Sequence, residues 1–391
     1  MTAESARPAA LTWRGVTARR MARHALTAPA SGVSPAEIAG VLCGAHAQVL
    51  SAAELSIGRR IAGGTRADVR RALWADRTLV KTFGPRGTVH LLPAADLPMW
   101  TGALSALPSP VPGQPDGIRF TPGQTSEVLA AIGAALAGAE LTADELTEAL
   151  GDLAGPWAVQ RTLPAFGGLW PRWRQLTSTA AHRGVLCYGP DRGRQVTFTS
   201  PRRWLPGFRP VGGDLALRTL VACYLHAYGP ATPRHFARWL GVSARYAADL
   251  FGTLAGELER VELDGEPGWV VAGDVAAPPG PCRGIRLLPY FDAYVVAGQP
   301  RERLFPGAAA LRALSPAGQA GNYPVLLVDG VVAGVWHQQR SGRTLAVTVE
   351  PLRELTARQL RQLRDEADLV GAVMETSVTL AIGTVTSGPH A

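Results

Sequence analysis

One arrangement recurs along the chain and limits what it can fold into: a run of helices closed by a short β-hairpin. It is clearest over residues 214–273. DLALRTLVACYLHAYG (214–229) reads as a helix stopped by Gly229. TPRHFARWLG (232–241) opens on Thr232 and Pro233, an N-cap and a first-turn proline, and ends at Gly241. SARYAADLFGTLAGEL (243–258) starts on Ser243 as its cap, and ERVELDGEPGWVVAG (259–273) reads as two strands around the turn DGEPG. Three helices and a two-stranded wing is the order of a winged helix-turn-helix.

Residues 124–200 repeat that order more loosely. QTSEVLAAIGAALAG and TADELTEALGDLAG read as helices, PRWRQLTSTAAHRG as the third helix and VLCYGPDRGRQVTFTS as the hairpin. Nearer the start, SPAEIAGVLCGAHAQVL (34–50) reads as one helix, with Ser34 and Pro35 opening it and Ile38, Val41 and Leu42 at helical spacing. TRADVRRALWADRTLVKTF (65–83) begins on Thr65 and aligns Val69, Leu73 and Trp74, and GTVHLLP (87–93) is a short strand. The last third differs. GIRLLPYFDAYVVAG (284–298) reads as an apolar strand. Residues 323–351 read as a meander turning at Asp329-Gly330 and Ser341-Gly342, followed by a helix in TARQLRQLRDEADLVGAV and a last strand in SVTLAI. The expected fold is α+β: tandem winged helix-turn-helix domains, then a β-barrel-like domain. The segments are 1–108, 118–208, 213–274 and 283–391. Linkers are expected at SPVPGQPDG (109–117) and VAAPPGPCRG (275–284).

Composition narrows the class. With 47% apolar residues and 10 tryptophans in 391 residues, the chain can bury a large core. It has no uncharged apolar run long enough for a membrane span, and MTAESARPAALTWRG does not read as a signal peptide. Cys43, Cys187, Cys223 and Cys282 stand singly, which argues against a zinc cluster or a disulfide framework and points to the reducing cytoplasm. The net charge is +8. Residues 1–104 carry +7, residues 105–212 carry +2 and residues 213–391 carry −1. A basic excess in the first quarter suggests a polyanion partner. Lys81 is the only lysine, so any chemistry that needs an amine nucleophile rests on it.

GxxxxGK[ST], GxSxG and HExxH are all missing from the sequence, which removes the usual NTPase, serine hydrolase and zincin readings. Asp292, in PYFDAY, reads equally as a chemical carboxylate or as a tie to a backbone N–H. His46 and Gln48 are two residues apart. On extended backbone such a pair points the same way and could hold one water between them. Taken alone, His46 and the His90 of TVH read as ordinary buried histidines.

Together, CGAHAQVLSAAELSIGRRI, RRALWADRTLVKTFGPRGTVHLLPAADLP, LLPYFDAYVVAG and PVLLVDGVVAGVW resemble the winged-helix family of bacterial DNA glycosylases, over nearly the whole chain. The resemblance implies three winged helices and a barrel in a C-shaped body gripping duplex DNA. It implies hydrolysis of the N-glycosidic bond of N7-alkylated purines, bulky adducts and crosslinks included, without cofactor or metal. In the family a Gln-x-Gln or Gln-x-Asp motif holds the nucleophilic water. The matching positions here are His46 and Gln48, so histidine replaces the first glutamine. A Thr-x-His loop near the lesion matches Thr88 and His90, beside Arg86. A basic barrel hairpin matches HQQRSGR, with Arg340 and Arg343. The resemblance implies a monomeric, cytoplasmic, nucleoid-associated enzyme of base excision repair or of self-resistance to a genotoxin. Its partner would be alkylated duplex DNA, with no membrane partner. With one lysine, the enzyme is expected to be a monofunctional hydrolase without abasic-site lyase activity. The alternative is a non-catalytic winged-helix DNA-binding protein, either a regulator or a lesion-shielding factor. A protein-binding scaffold fits the basic first quarter less well.

Overall fold

Side-chain caps fix where the helices begin. Ser34, Thr121, Thr142, Thr232 and Thr356 each accept a hydrogen bond from the N–H three residues on. The side chain at that third position returns to the cap's own N–H, so two orphan donors are satisfied at once. The structure, a computed structural model, describes residues 8–108, 117–165, 168–276, 278, 280–342 and 344–388. Most of the expected linker at 109–117 lies outside the described residues. The fold is α+β, and the chain forms two compact units: residues up to 71 with those from 221 on, and residues 72–220.

In the first unit, strand Ala9–Leu11 lies parallel to Leu258–Leu263, which pairs antiparallel with Glu266–Val271. The two-residue turn of this wing is Asp264-Gly265, with both residues at positive φ. Around it, Tyr224, Tyr228, Phe236, Trp239 and Phe251 form an aromatic core across the helices. The C-terminal sheet is a curled half-barrel. Its order is Ile285–Leu288, Val325–Val328, Val331–Ser341, Thr344–Pro351, Ser377–Ile382. All pairs are antiparallel except the last, which is parallel because helix Ala357–Val373 carries the chain across. Ile285, Leu287, Trp336 and Val347 of the sheet pack with Leu363, Val370 and Val373 of that helix and with Leu55. The Asp329-Gly330 turn has φ of 53° and 83°, as a tight hairpin of matching twist requires. Glycine is needed there twice over, because a Cβ on Gly330 would lie 2.3 Å from Thr17.

The second unit is built on Val128, Ile132, Leu146, Leu150, Trp173 and Phe198. Trp173 is fully buried and its indole N–H donates to the Thr147 hydroxyl at 2.9 Å, so the large ring costs no unpaired donor. Strand Glu140–Thr142 joins the wing formed by Cys187–Arg192 and Gln195–Thr199. The third helix expected over 171–184 is a 3₁₀ segment, Arg172–Leu176, followed by the short helix Thr177–His182.

Three further sequence expectations need correction. The helix read over 65–83 ends at Trp74, and Leu79–Phe83 is a strand. The helix read over 34–50 ends at Val41. Cys43 and Gly44 take φ of 53° and 93°, reversing the chain into the two-residue strand Ala45–His46 before a new helix, Leu50–Gly58. The apolar strand read over 284–298 is a strand only to Leu288. Phe291 then turns at φ 54°, and Asp292 caps the buried helix Ala293–Ala297. A short, wholly buried apolar run carries no periodicity that separates strand from helix, and here both occur within it.

The Asp292 carboxylate accepts four hydrogen bonds among the described residues. It forms a two-armed ion pair with Arg60, both bonds 2.8 Å, and both side chains are 0% exposed. It also accepts from the Ser56 hydroxyl at 2.7 Å and the Tyr294 N–H at 3.0 Å. Burial alone would raise its pKa. The Arg60 guanidinium and the two further donors outweigh that and hold it below the usual carboxylate range. Arg60 completes its donors on the carbonyls of Ser56 and His24. The tie reading of Asp292 is therefore what the fold contains. Asp292→Ala should cost about 3–5 kcal/mol in urea unfolding, because it strands a buried guanidinium. Replacing Arg60 and Asp292 together by apolar residues should cost less than the single change.

Candidate nucleic-acid site

The segment that carries His46 and Gln48 is held from below. Tyr228 donates its hydroxyl to the Leu42 carbonyl at 2.6 Å, just before the Cys43-Gly44 reversal. The N–H groups of Cys43 and Gly44 close back onto Gly40 and Ala39. Ala45 and Ala47 are buried, His46 is 6% exposed and Gln48 is exposed. The His46 ring lies 6.4 Å from the Phe291 ring, tilted by 37°. Phe291 precedes Asp292, so the Arg60 ion pair fixes the aromatic wall beside His46. The helix that follows, Leu50–Gly58, is also anchored through Glu54, whose buried carboxylate accepts from Arg70 at 2.6 Å. A histidine on this rigid turn, with an exposed amide two residues later, can offer an acceptor and a donor–acceptor to one small polar group.

In the second unit, Thr88 closes a compact loop between strands Leu79–Phe83 and Val89–Pro93, and His90 sits in the second of these strands, opposite Thr82. The loop turns through the 3₁₀ segment Pro85–Gly87, with Arg86 exposed at φ 58°. Gly84 N–H donates to Thr88 O at 2.9 Å, and Gly87 N–H donates to Gly84 O at 3.1 Å. The Thr88 hydroxyl donates to Pro85 O at 3.0 Å, inside the loop. His90 is 1% exposed, and its Nδ1 meets Thr88 O at 2.8 Å. A carbonyl can only accept, so Nδ1 carries the proton. The ring packs on Gly84, where a Cβ would sit 2.7 Å from Nδ1, so the position requires glycine.

The sequence reading missed a second histidine at this loop. His182, in the Thr177–His182 helix, donates from Nε2 to Gly84 O at 3.2 Å. Two imidazoles thus hold the two end carbonyls of the loop. Burial lowers both pKa values, that of His90 to about 3, so the loop is held by neutral rings. TSTAAHRG offers no motif that would have marked His182. Only the fold brings it to Gly84.

The remaining expected residues fall as follows. Arg340 is exposed near the end of strand Val331–Ser341, opposite Leu345. Arg343 lies outside the described residues. Lys81 is buried on strand Leu79–Phe83, with its ammonium 4.8 Å from the Tyr188 ring centre, and burial lowers its pKa. Among the described residues no cluster of His, Cys, Asp and Glu is fit for a metal, and no helix is long and apolar enough to cross a membrane.

Residues 39–373 match the family model described as DNA glycosylase AlkZ-like. The chain is 35% identical over 337 residues to the interstrand DNA cross-link repair glycosylase of Streptomyces sahachiroi, covering 83% of this chain and 87% of that protein. Its fold is similar to the solved structure of Streptomyces sahachiroi DNA glycosylase AlkZ, with a TM-score of 0.80 and 30% identity. That match covers 96% of this chain and 100% of that one.

A histidine neutral in the fold but able to protonate when unfolded makes stability fall as pH drops below its unfolded value near 6.5. The loss continues down to the folded value of about 3. His90 alone should therefore remove about 2 kcal/mol between roughly pH 7.5 and pH 5. Urea midpoints should show at least that slope, and His90→Gln, which keeps a donor but does not titrate, should reduce it by His90's share, the rest coming from other histidines whose pKa burial lowers, such as His24 and His235.

Proposed function

The chain belongs to the AlkZ-like DNA glycosylase family, and we propose that it releases N7-alkylated purines, bulky adducts and crosslinks included, from duplex DNA. As a DNA glycosylase it hydrolyses an N-glycosidic bond. The observation that carries the finer reading is the His46-Ala47-Gln48 turn. It is a stiff, pinned segment that sets one imidazole against Phe291 and leaves one amide open to solvent.

The chemistry asks little of such a turn. Alkylation at N7 puts positive charge on the purine, so the base leaves readily and the sugar passes through an oxocarbenium-like transition state. The enzyme has to place a water on the sugar's open face and stabilise the developing cation. Gln48 would orient that water through its amide. His46 would accept from it through a neutral imidazole and take its proton as the C–O bond forms. Thr88, His90 and Arg86 would support the lesion side through the loop they build, and Arg340 and Arg343 would meet phosphates from the barrel hairpin. The relative from Streptomyces sahachiroi is named for cross-link repair. A water-placing site that needs no deep base pocket suits bulky substrates of that kind. The only lysine that could serve lyase chemistry, Lys81, is buried with its ammonium against the Tyr188 ring, which supports a monofunctional hydrolase.

Base release from duplexes carrying N7-methylguanine or one bulky N7 adduct tests this. Gln48→Ala should slow release by about 100-fold or more while duplex binding persists. His46→Gln should keep release and His46→Phe should lose it. Wild-type protein that frees neither base would refute the proposal. Abasic strands should stay intact with wild type, and Lys81→Met should release base normally.

A further inference from the structure

The near-neutral middle of the chain hides a sharp internal split. Residues 105–160 carry a net charge of −6. Residues 161–209 hold nine arginines and one acidic residue, Asp191, for a net of +8. Part of this arginine set is structural. Arg172 donates to the carbonyls of Ile118 and Arg119, and Arg192 pairs with Glu145. The first arginines of the set stand differently.

Strands Arg161–Ala165 and Gly168–Pro171 form a two-stranded ribbon that is a sheet of its own among the described residues. A lone hairpin gains little stability in water and normally buries its apolar side chains. This one exposes them. Leu169 is 51% exposed and Trp170 is 40% exposed. Trp170 faces Leu163 across the ribbon, while Leu169 faces Pro164, so the two apolar residues lie on opposite faces. Arginine accompanies both. The Arg174 guanidinium stacks 4.0 Å from the Trp170 ring centre. Exposed Arg161 reaches the Leu169 carbonyl at 3.4 Å.

We propose that this ribbon is a second DNA-contacting element, distinct from the barrel hairpin, and that it seats in a groove of undamaged duplex flanking the lesion. The inference rests on the reading that the substrate is duplex DNA. A two-stranded ribbon has the width of a groove. Apolar side chains flanked by arginines are the equipment of proteins that press a wedge against a base step while holding the phosphates on either side. The +8 of the surrounding segment is complementary to that backbone and opposes a basic partner. Stacking on Trp170 holds the Arg174 guanidinium flat and extended, ready for bidentate contact with a phosphate.

Binding of the full-length chain to an undamaged duplex, titrated against salt, separates the parts. Trp170→Ala should weaken binding about tenfold with an unchanged salt slope, because it removes contact rather than charge. Arg161→Ala should weaken binding and lower the salt slope by about one ion. Both residues are exposed, so thermal unfolding should be unmoved, and Trp170→Phe should restore most of the affinity. If wild type binds duplex and all three variants bind equally well, the proposal is overturned. It is also overturned if wild type self-associates in sedimentation and Trp170→Ala does not, since the ribbon would then serve a second copy of the chain. Failure of wild type to release any alkylated base is a different result, and it counts against the glycosylase substrate rather than against the ribbon.

Discussion

The buried pair between Arg60 and Asp292 is the constraint on which the first unit turns. Neither charge touches water, and each residue uses its remaining polar atoms on neighbours: Arg60 on the carbonyls of Ser56 and His24, Asp292 on the Ser56 hydroxyl and the Tyr294 N–H. Such a pair tolerates few alternatives, because every other arrangement leaves a desolvated charge. It joins the end of the Leu50–Gly58 helix to the turn that carries Phe291, which packs beside His46. The chemistry proposed for His46 and Gln48 therefore inherits its geometry from an ion pair that takes no part in it.

The second unit solves a similar problem without charge. The Gly84–Thr88 loop is short, and its end carbonyls are taken by imidazoles from His182 and His90. Neutral rings suit this task, because a charged ring in so dry a place would cost more than the hydrogen bond returns. Histidine at a candidate DNA-contacting loop invites a catalytic reading. Here its first demonstrable work is to hold the backbone in shape, and that preorganisation is itself what a site placing a substrate needs.

Charge follows the same logic at a larger scale. Windows of a hundred residues put the basic excess at the start of the chain, and that average is correct. It conceals the arginine-rich stretch after Arg161, because the acidic helices just before it cancel the sum. Electrostatic fields act over about a Debye length, roughly 8–10 Å, so local surface charge matters more to a polyanion than any segment total. An isolated ribbon with Leu169 and Trp170 in solvent adds what the charge count lacks: a shape for the partner to meet.

Much of this was legible before any coordinates. Ser and Thr caps followed by proline set the starts of the helices at Pro35 and Pro233. Asp-Gly pairs set two tight turns, and the run of motifs from CGAHAQ to PVLLVDG indicated the family. These signals are local, or are patterns of spacing, and survive without knowledge of contacts. The boundaries at Val41 and Leu288 were not legible, because a backbone reversal at Cys43 or Phe291 leaves no trace in an apolar run. Nor could the sequence say that Arg60 meets Asp292 across 232 positions, that His182 reaches Gly84, or that strand Ala9–Leu11 pairs with Leu258–Leu263. Those pairings are decided by which buried polar groups find partners when the whole chain packs, and only the tertiary structure makes that choice.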